Sequence, residues 1–298
     1  MSNRIDRRDW LKAAGALGAW IGLAKLPCSI AMAGRLANGA PHADKLGWRL
    51  GCQAYSFNRF TFYEAIEKNA SLGLKVIEAY PGQKLSPKNP ELKFNDTLTP
   101  QMRKEVKQQL AAAGVKLVNY GVVGLSKDEA ASRKVFDFAK DMGVETIVAE
   151  PAFDAFDTLD KLCDQYAINV AIHNHPEPSK YWNPAKVLEA CNGHSRRIGA
   201  CADTGHWMRS GINPLEAIKK LEGRIISFHF KDLNKYGRKD AYDVPWGTGK
   251  ADVPALLREV HRQGFKGVFS IEYEHNWLES LPEIAQSVTY FDKVAAEL

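Results

Sequence analysis

The sequence predicts an α/β protein built as a closed (β/α)8 TIM barrel, and three observations carry that expectation. From residue 47 onward, eight short β-rich runs alternate with helical stretches over about 250 residues. Runs such as Ile225-Ile226-Ser227-Phe228 are nearly continuous in apolar character, as parallel strands buried on both faces must be. The first run leads into Ser56-Phe57-Asn58-Arg59, without the glycines that would cradle a phosphate in a doubly wound open sheet.

The predicted strands are residues 48–57, 75–79, 116–120, 146–150, 169–173, 198–203, 225–230 and 267–272, each ending in polar or charged residues. The predicted helices between them are 62–72, 100–113, 127–142, 156–166, 184–191, 214–221, 253–263 and 281–298. Pro100, Pro184, Pro214 and Pro282 stand at first helical turns, where a missing N–H costs nothing. Gly73, Gly114, Gly143 and Gly264 stand just ahead of the next strand, where a left-handed residue stops the helix.

Ahead of this barrel domain, 47–298, residues 1–33 read as a twin-arginine signal peptide and 34–46 as a linker. Arg7-Arg8 precedes an uncharged stretch from Ala13 to Ala24, and Ala31-Met32-Ala33 fits a signal-peptidase site. The uncharged run is shorter than the ~20 residues needed to span a bilayer, and Cys28 lacks a lipoprotein context, so no stable membrane anchor is expected. The expected partner is the twin-arginine export machinery, which carries folded proteins, and the expected location is the periplasm. Cleavage after Ala33 or Ala40 would start the mature chain at Gly34 or Pro41.

The chain has 298 residues, 45% hydrophobic and 25% charged, in globular proportions. Its net charge is +5, but Arg4, Arg7, Arg8, Lys12 and Lys25 against Asp6 and Asp9 place most of that in the signal. The barrel has no concentrated basic face, which argues against a nucleic-acid partner. Cys52, Cys163, Cys191 and Cys201 match no zinc spacing and are expected to be free and buried. Self-association is left open.

In such barrels the loops at the carboxyl ends of the strands form one concave face. Those ends hold Glu78, Asn119, Glu150, His173-Asn174-His175, Asp203 with His206, His229 with Lys231, and Glu272 with Glu274. Carboxylates and imidazoles converging on one mouth make a mixed O and N donor set for a divalent metal such as Mn, Co, Mg or Zn. Tyr55, Phe57, Tyr80, Tyr181, Trp182, Trp207, Trp246 and Trp277 flank the same face, consistent with a carbohydrate or cyclitol substrate.

Ala200-Cys201-Ala202-Asp203-Thr204-Gly205-His206, Ser227-Phe228-His229-Phe230-Lys231-Asp232, Gly247-Thr248-Gly249 and Ser270-Ile271-Glu272-Tyr273-Glu274 resemble the xylose isomerase-like TIM barrels, the sugar phosphate isomerase/epimerase superfamily. The resemblance implies metal ligands Asp203, His229 and Glu272, and a substrate-contacting role for His206. At the fifth strand the superfamily's epimerases place a Glu, whereas here His173 stands, with Glu150 nearby to complete the set. An imidazole makes the site less negative and removes half of a two-glutamate proton relay. The His-Asn-His run is closer to inosose dehydratase-like and keto-sugar lyase members. DNA-repair endonuclease relatives need histidines where this chain has Glu78 and Asn119.

The expected metal set is Glu150, His173, Asp203, His229 and Glu272. The expected catalytic groups are Glu272 and His175 as bases, with His206 and Lys231 holding or protonating substrate oxygens. Lys231 also has a bland reading, as an ion pair with Asp232 or another acid. The expected activity is that of a divalent-metal-dependent sugar isomerase or epimerase that abstracts a proton α to a carbonyl. Alternatives are a keto-sugar dehydratase or keto-glycoside lyase on the same scaffold, and a non-catalytic periplasmic sugar-binding protein.

Overall fold

A computed structural model describes residues 36–298; the expected signal peptide, 1–33, lies outside the described residues. In chain order the elements are α1 (Pro41–Lys45), β1 (Arg49–Gln53), α2 (Phe62–Ser71), β2 (Val76–Ala79), β3 (Lys84–Ser86), β4 (Asn89–Lys93), α3 (Pro100–Ala113), β5 (Lys116–Val123), α4 (Glu129–Met142), β6 (Thr146–Ala149), α5 (Phe156–Tyr166), β7 (Asn169–His173), α6 (Pro184–Cys191), β8 (Ile198–Asp203), α7 (Thr204–Arg209), α8 (Pro214–Lys220), β9 (Ile225–Phe230), α9 (Val253–Arg262), β10 (Val268–Ile271) and α10 (Leu281–Ala295). The eight predicted strand runs close into a barrel in the order β1-β10-β9-β8-β7-β6-β5-β2, with every paired strand parallel. The closed TIM barrel is therefore as the alternation predicts.

Local chemistry sets the helix ends. Thr61 caps α2 through a reciprocal capping box with Glu64, and Thr99 caps α3 just ahead of Pro100. Gly114 and Gly143 end α3 and α4 in the left-handed conformation, at φ 66° and 77°. The seam where β1 meets β10 is aromatic: Trp48 and Phe291 lie 5.2 and 5.0 Å from Phe269, which stacks on Phe228 at 4.7 Å. These rings are fully buried, each stabilising the fold by roughly 1.5–3 kcal/mol relative to exposure.

Three features, four elements in all, were not anticipated. The antiparallel pair β3 and β4 stands outside the barrel, and its residues are mostly exposed and polar, so no apolar alternation marks it. The stretch read as linker contains α1, with Ala37, Ala40 and Ala43 buried and Asp292 of α10 accepting the amides of His42 and Ala43. The third is α7, one and a half turns long, which follows directly on β8. All four predicted barrel cysteines are free and buried. Among the described residues, no helix is long and apolar enough to cross a membrane.

Candidate active site at the barrel mouth

The Asp-Thr-Gly-His run after β8 shows how the sequence builds the site. Asp203 Oδ1 accepts the His206 amide at 2.7 Å and caps α7, leaving Oδ2 free to face inward. Asn174 clamps the Asp203 backbone, donating to its carbonyl at 3.0 Å and accepting its amide at 2.9 Å. Thr204 Oγ1 donates to the Lys231 carbonyl and accepts its amide, fixing β9 against α7. A Cβ on Gly205 would stand 2.7 Å from Lys231 Cδ, so glycine here leaves the lysine stem its path into the mouth.

Lys231 is fully buried, and its Nζ lies 2.7 Å from Asp203 Oδ2, 2.6 Å from Glu272 Oε2 and 3.2 Å from Glu274 Oε2. Burial opposes its charge, but these carboxylates and Asp243 hold its pKa well above the usual lysine value. Burial likewise opposes ionisation of Asp203 and Glu272, yet the cationic surroundings, Lys231 among them, keep both carboxyls well below the usual range. Asp232 is not the partner of Lys231: it accepts the amides of Gly247, Gly249 and Ala251, all at 2.9 Å, and so shapes the Gly-Thr-Gly loop.

His173 is 1% exposed, and neither ring nitrogen has a hydrogen-bond partner. Its Nε2 stands 3.5 Å from Asp203 Oδ2 and its Nδ1 3.9 Å from Glu150 Oε1. Two groups of donor atoms within 4.8 Å of one another therefore share this ring: His173, Asp203, His206 and Glu272, and Glu150, His173 and His175. Either spacing can hold a metal ion. An unpartnered buried imidazole costs free energy unless something absent from the polypeptide satisfies it.

Of the five predicted metal-site residues, the structure places four in the two groups that share the His173 ring, Asp203 and Glu272 with His173 in one and Glu150 with His173 in the other. His229 is turned to another task. Its Nε2 lies 2.8 Å from Glu78 Oε1 and its Nδ1 3.1 Å from Glu272 Oε2, and it belongs to neither donor group. Glu78 is the hub beneath it, accepting from Gln53, Asn119 and Ser270 as well.

Of the predicted catalytic residues, His175, His206 and Glu272 line the cavity at the mouth, whereas Lys231, expected to hold or protonate substrate oxygens, is fully buried among carboxylates and does not line it. His175 Nδ1 is 2.5 Å from Glu150 Oε1; burial pulls its pKa down, but that carboxylate more than compensates and raises it above the ordinary histidine value. Burial would raise Glu150, but His173 and His175 hold it low. His206 is pushed well below the ordinary value by burial, with Lys231 and Arg209 acting in the same sense against the attraction of Asp203. A cavity of about 280 Å³ opens above these groups, lined among others by Tyr55, Tyr80, His175, His206, Glu272 and Glu274. Trp277 packs on Tyr55 at 5.7 Å, and Tyr80 at 5.1 Å. Phe57, Tyr181, Trp207 and Trp246, read as flanking the substrate, are instead buried in the core, where bulky rings fill the barrel wall.

Three residues of the site are not evident from the sequence: Gln53, Arg209 and Asp243. Arg209 Nη2 meets Asp243 Oδ2 at 3.2 Å, and Nη1 meets Glu274 Oε2 at 2.9 Å. The i, i+3, i+6 spacing of Asp203, His206 and Arg209 was the available signal, since a helix stacks such residues on one face.

A family model described as the xylose isomerase-like TIM barrel matches residues 66–294. Over 103 residues the chain is 31% identical to inosose dehydratase of Clostridium botulinum, a match covering 30% of this chain and 33% of that protein, so it spans only a third of the relative's length. An uncharacterised protein from Parabacteroides distasonis is 32% identical in structure-based alignment, with a TM-score of 0.68 over 83% of this chain and 99% of that one. The IolI protein, solved with a bound zinc atom, shares the fold at 17% identity, with a TM-score of 0.61 over 84% of this chain and 98% of its own.

Proposed function

The chain belongs to the xylose isomerase-like TIM barrel family, and from that premise we propose that it is a divalent-metal-dependent enzyme that removes the proton α to the carbonyl of a sugar or cyclitol. The observation that carries the reading is His173, buried with both ring nitrogens unpartnered between Glu150 on one side and Asp203 on the other. The residues fit a metal: His173, Asp203 and Glu272 share one donor group and would hold it, in keeping with the zinc of the IolI protein, while Glu150 belongs to the other group and engages His175. A bound divalent ion supplies Lewis acidity at the substrate carbonyl.

The protein's own groups divide the remaining work. Glu150 accepts from His175 Nδ1, so Nε2 of the neutral ring is left as the proton acceptor, in the manner of a carboxylate-oriented histidine base. Glu272 is a poorer base, because its Oε2 is already engaged by Lys231 and His229. Tyr55 and Tyr80 offer the cavity wall on which a sugar ring can lie. With one free base in the mouth, elimination is favoured over two-base epimerisation, which agrees with the inosose dehydratase relatives. The twin-arginine reading places this enzyme in the periplasm; cleavage after Ala33 would spare Ala37 and Ala40, which are buried in the folded part.

Two measurements test the proposal. Asp203→Ala should abolish stoichiometric metal by elemental analysis; full occupancy in that variant refutes the ligand set. In D2O, the metal-loaded protein should exchange the α-proton of inosose or another keto-sugar, whereas a sugar-binding protein without chemistry exchanges none. Exchange should rise with pH through the raised pKa of His175, because only the unprotonated ring is a base. Glu150→Gln should move that limb to lower pH and slow exchange about tenfold or more; an unmoved limb removes His175 from the role.

A further inference from the structure

Arg209 is held from four directions at the mouth. Its Nε donates to the Ala241 carbonyl at 3.2 Å, Nη2 to Asp243 Oδ2 at 3.2 Å, and Nη1 both to Glu274 Oε2 at 2.9 Å and to His206 Nδ1 at 3.0 Å. A guanidinium has five N–H donors, no acceptor, and is never deprotonated in proteins. The nitrogen it faces must therefore offer a lone pair. A proton on His206 Nδ1 would set N–H against N–H, which rules out both the Nδ1–H tautomer and the imidazolium ion.

We infer that Arg209 is a positioning residue that fixes His206 as the tautomer carrying its proton on Nε2, so that His206 enters the cavity as a hydrogen-bond donor to a substrate oxygen and not as a metal ligand. The spacing of the donor groups alone would admit His206 as a ligand, since its Nε2 lies 3.6 Å from Asp203 Oδ2. The hydrogen-bond pattern decides otherwise, because a ligand nitrogen needs the lone pair that the Nε2 proton occupies. Arg209 and His206 meet because α7 stacks residues three apart, and the loop after β9 supplies Ala241 and Asp243 to keep the guanidinium from swinging away. That second anchor matters: a salt bridge to Glu274 alone would leave the plane of the group free to turn. The donor role toward substrate rests on the enzyme reading above; the tautomer does not.

The test is nitrogen NMR of the ring atoms in full-length protein carrying ¹⁵N-histidine, with the His206 signals among the eight histidines assigned by their loss in His206→Gln. The expected spectrum shows Nδ1 unprotonated and Nε2 protonated, both without metal and with zinc chloride added to saturation. In Arg209→Met the two nitrogens should move toward averaged positions as both tautomers become populated, and Arg209→Lys, which keeps a donor, should restore the separation. An Nδ1–H signal in the native protein overturns the inference, as does loss of the Nε2 proton when zinc is added. The native spectrum decides even if Arg209→Met fails to fold. If zinc perturbs no histidine at all, the metal site proposed above falls, while a retained Nε2 proton still supports the tautomer.

Discussion

On the outside of the barrel, α3 begins with Thr99 and Pro100 and ends on Gly114, each residue doing what its backbone chemistry favours. At the mouth, Lys231 is buried with no exposed surface among three carboxylates, and His173 is buried with nothing to bond. The shell spends its residues on satisfying helix ends and packing rings. The mouth keeps Asp203, Glu272 and His173 in arrangements that a protein selected for stability alone would avoid, since buried charges recover their desolvation only through tight pairing. Concentrating such groups where one cation or one ligand can meet them is the mark of a site and not of a scaffold.

The sharpest way to press this contrast is Lys231→Met. In the metal-free protein, removing the ammonium leaves Asp203 and Glu272 buried beside each other without their counter-charge. Breaking a buried pair in this way costs on the order of 3–5 kcal/mol, or a melting temperature lower by roughly 10 °C for a domain of this size. Zinc should recover most of that loss and bind the variant more tightly than the native protein, because Lys231 occupies the same carboxylate oxygens that a metal needs. A variant as stable as the native protein without metal would show that the mouth carries no special burden.

The same contrast explains what could be read from the sequence. All eight barrel strands, the four helix-starting prolines and the glycine stops were legible because they depend on local backbone chemistry and on apolar periodicity. The residues at the mouth were legible too, as strand-end His, Asp and Glu. Their pairing was not. Nothing in Ser-Phe-His-Phe-Lys-Asp tells that His229 turns to Glu78, 151 positions away, or that Lys231 passes over Asp232 to reach Asp203. Such choices are made by side chains from different strands competing for the same few oxygens. Arg209 and Asp243 were missed for a related reason: each lies beyond a strand end, and reaches the site only through α7 or the long loop after β9.

A smaller effect is expected at Asp243, on the edge between the two regions. Burial dominates there and, with Glu274 and Asp203 nearby, outweighs the attraction of Lys231 and Arg209, so the carboxyl is pushed up to about 8. Four carboxylates, Asp203, Glu272, Glu274 and Asp243, face only two permanent cations, Lys231 and Arg209, and a proton on Asp243 relieves part of that surplus. Between an unfolded value of about 3.9 and the folded value, the native state binds more protons than the unfolded chain, so this group makes stability fall as pH rises and then level off above about 8. Asp243→Asn removes that slope. Denaturant unfolding from pH 5 to pH 8 should show the variant gaining on the native protein by roughly 1–3 kcal/mol across the window. Parallel curves would mean that Asp243 is ionised in the fold and that the mouth holds one more negative charge.

The shell has one place where it departs from its own rule, and it yields the smallest prediction. The helix α5 ends on Ala167 at φ 56° and ψ 38°, the left-handed conformation that α3 and α4 assign to glycine. Its amide still closes the helix by bonding to the Cys163 carbonyl, so the cap is made, but with a Cβ crowded against the backbone. Removing that Cβ relieves about 1–2 kcal/mol of conformational cost, while the greater freedom of glycine in the unfolded chain takes back about 0.4–1 kcal/mol. Ala167→Gly should therefore stabilise the protein by about 0.5–1 kcal/mol, a rise in melting temperature of roughly 2 °C. Ala167 is exposed and on the side of the molecule that serves packing, so zinc affinity should stay unchanged. A lower melting temperature would show that the strain is already absorbed by neighbouring structure. An altered zinc affinity would break the separation of shell from mouth on which the comparison depends.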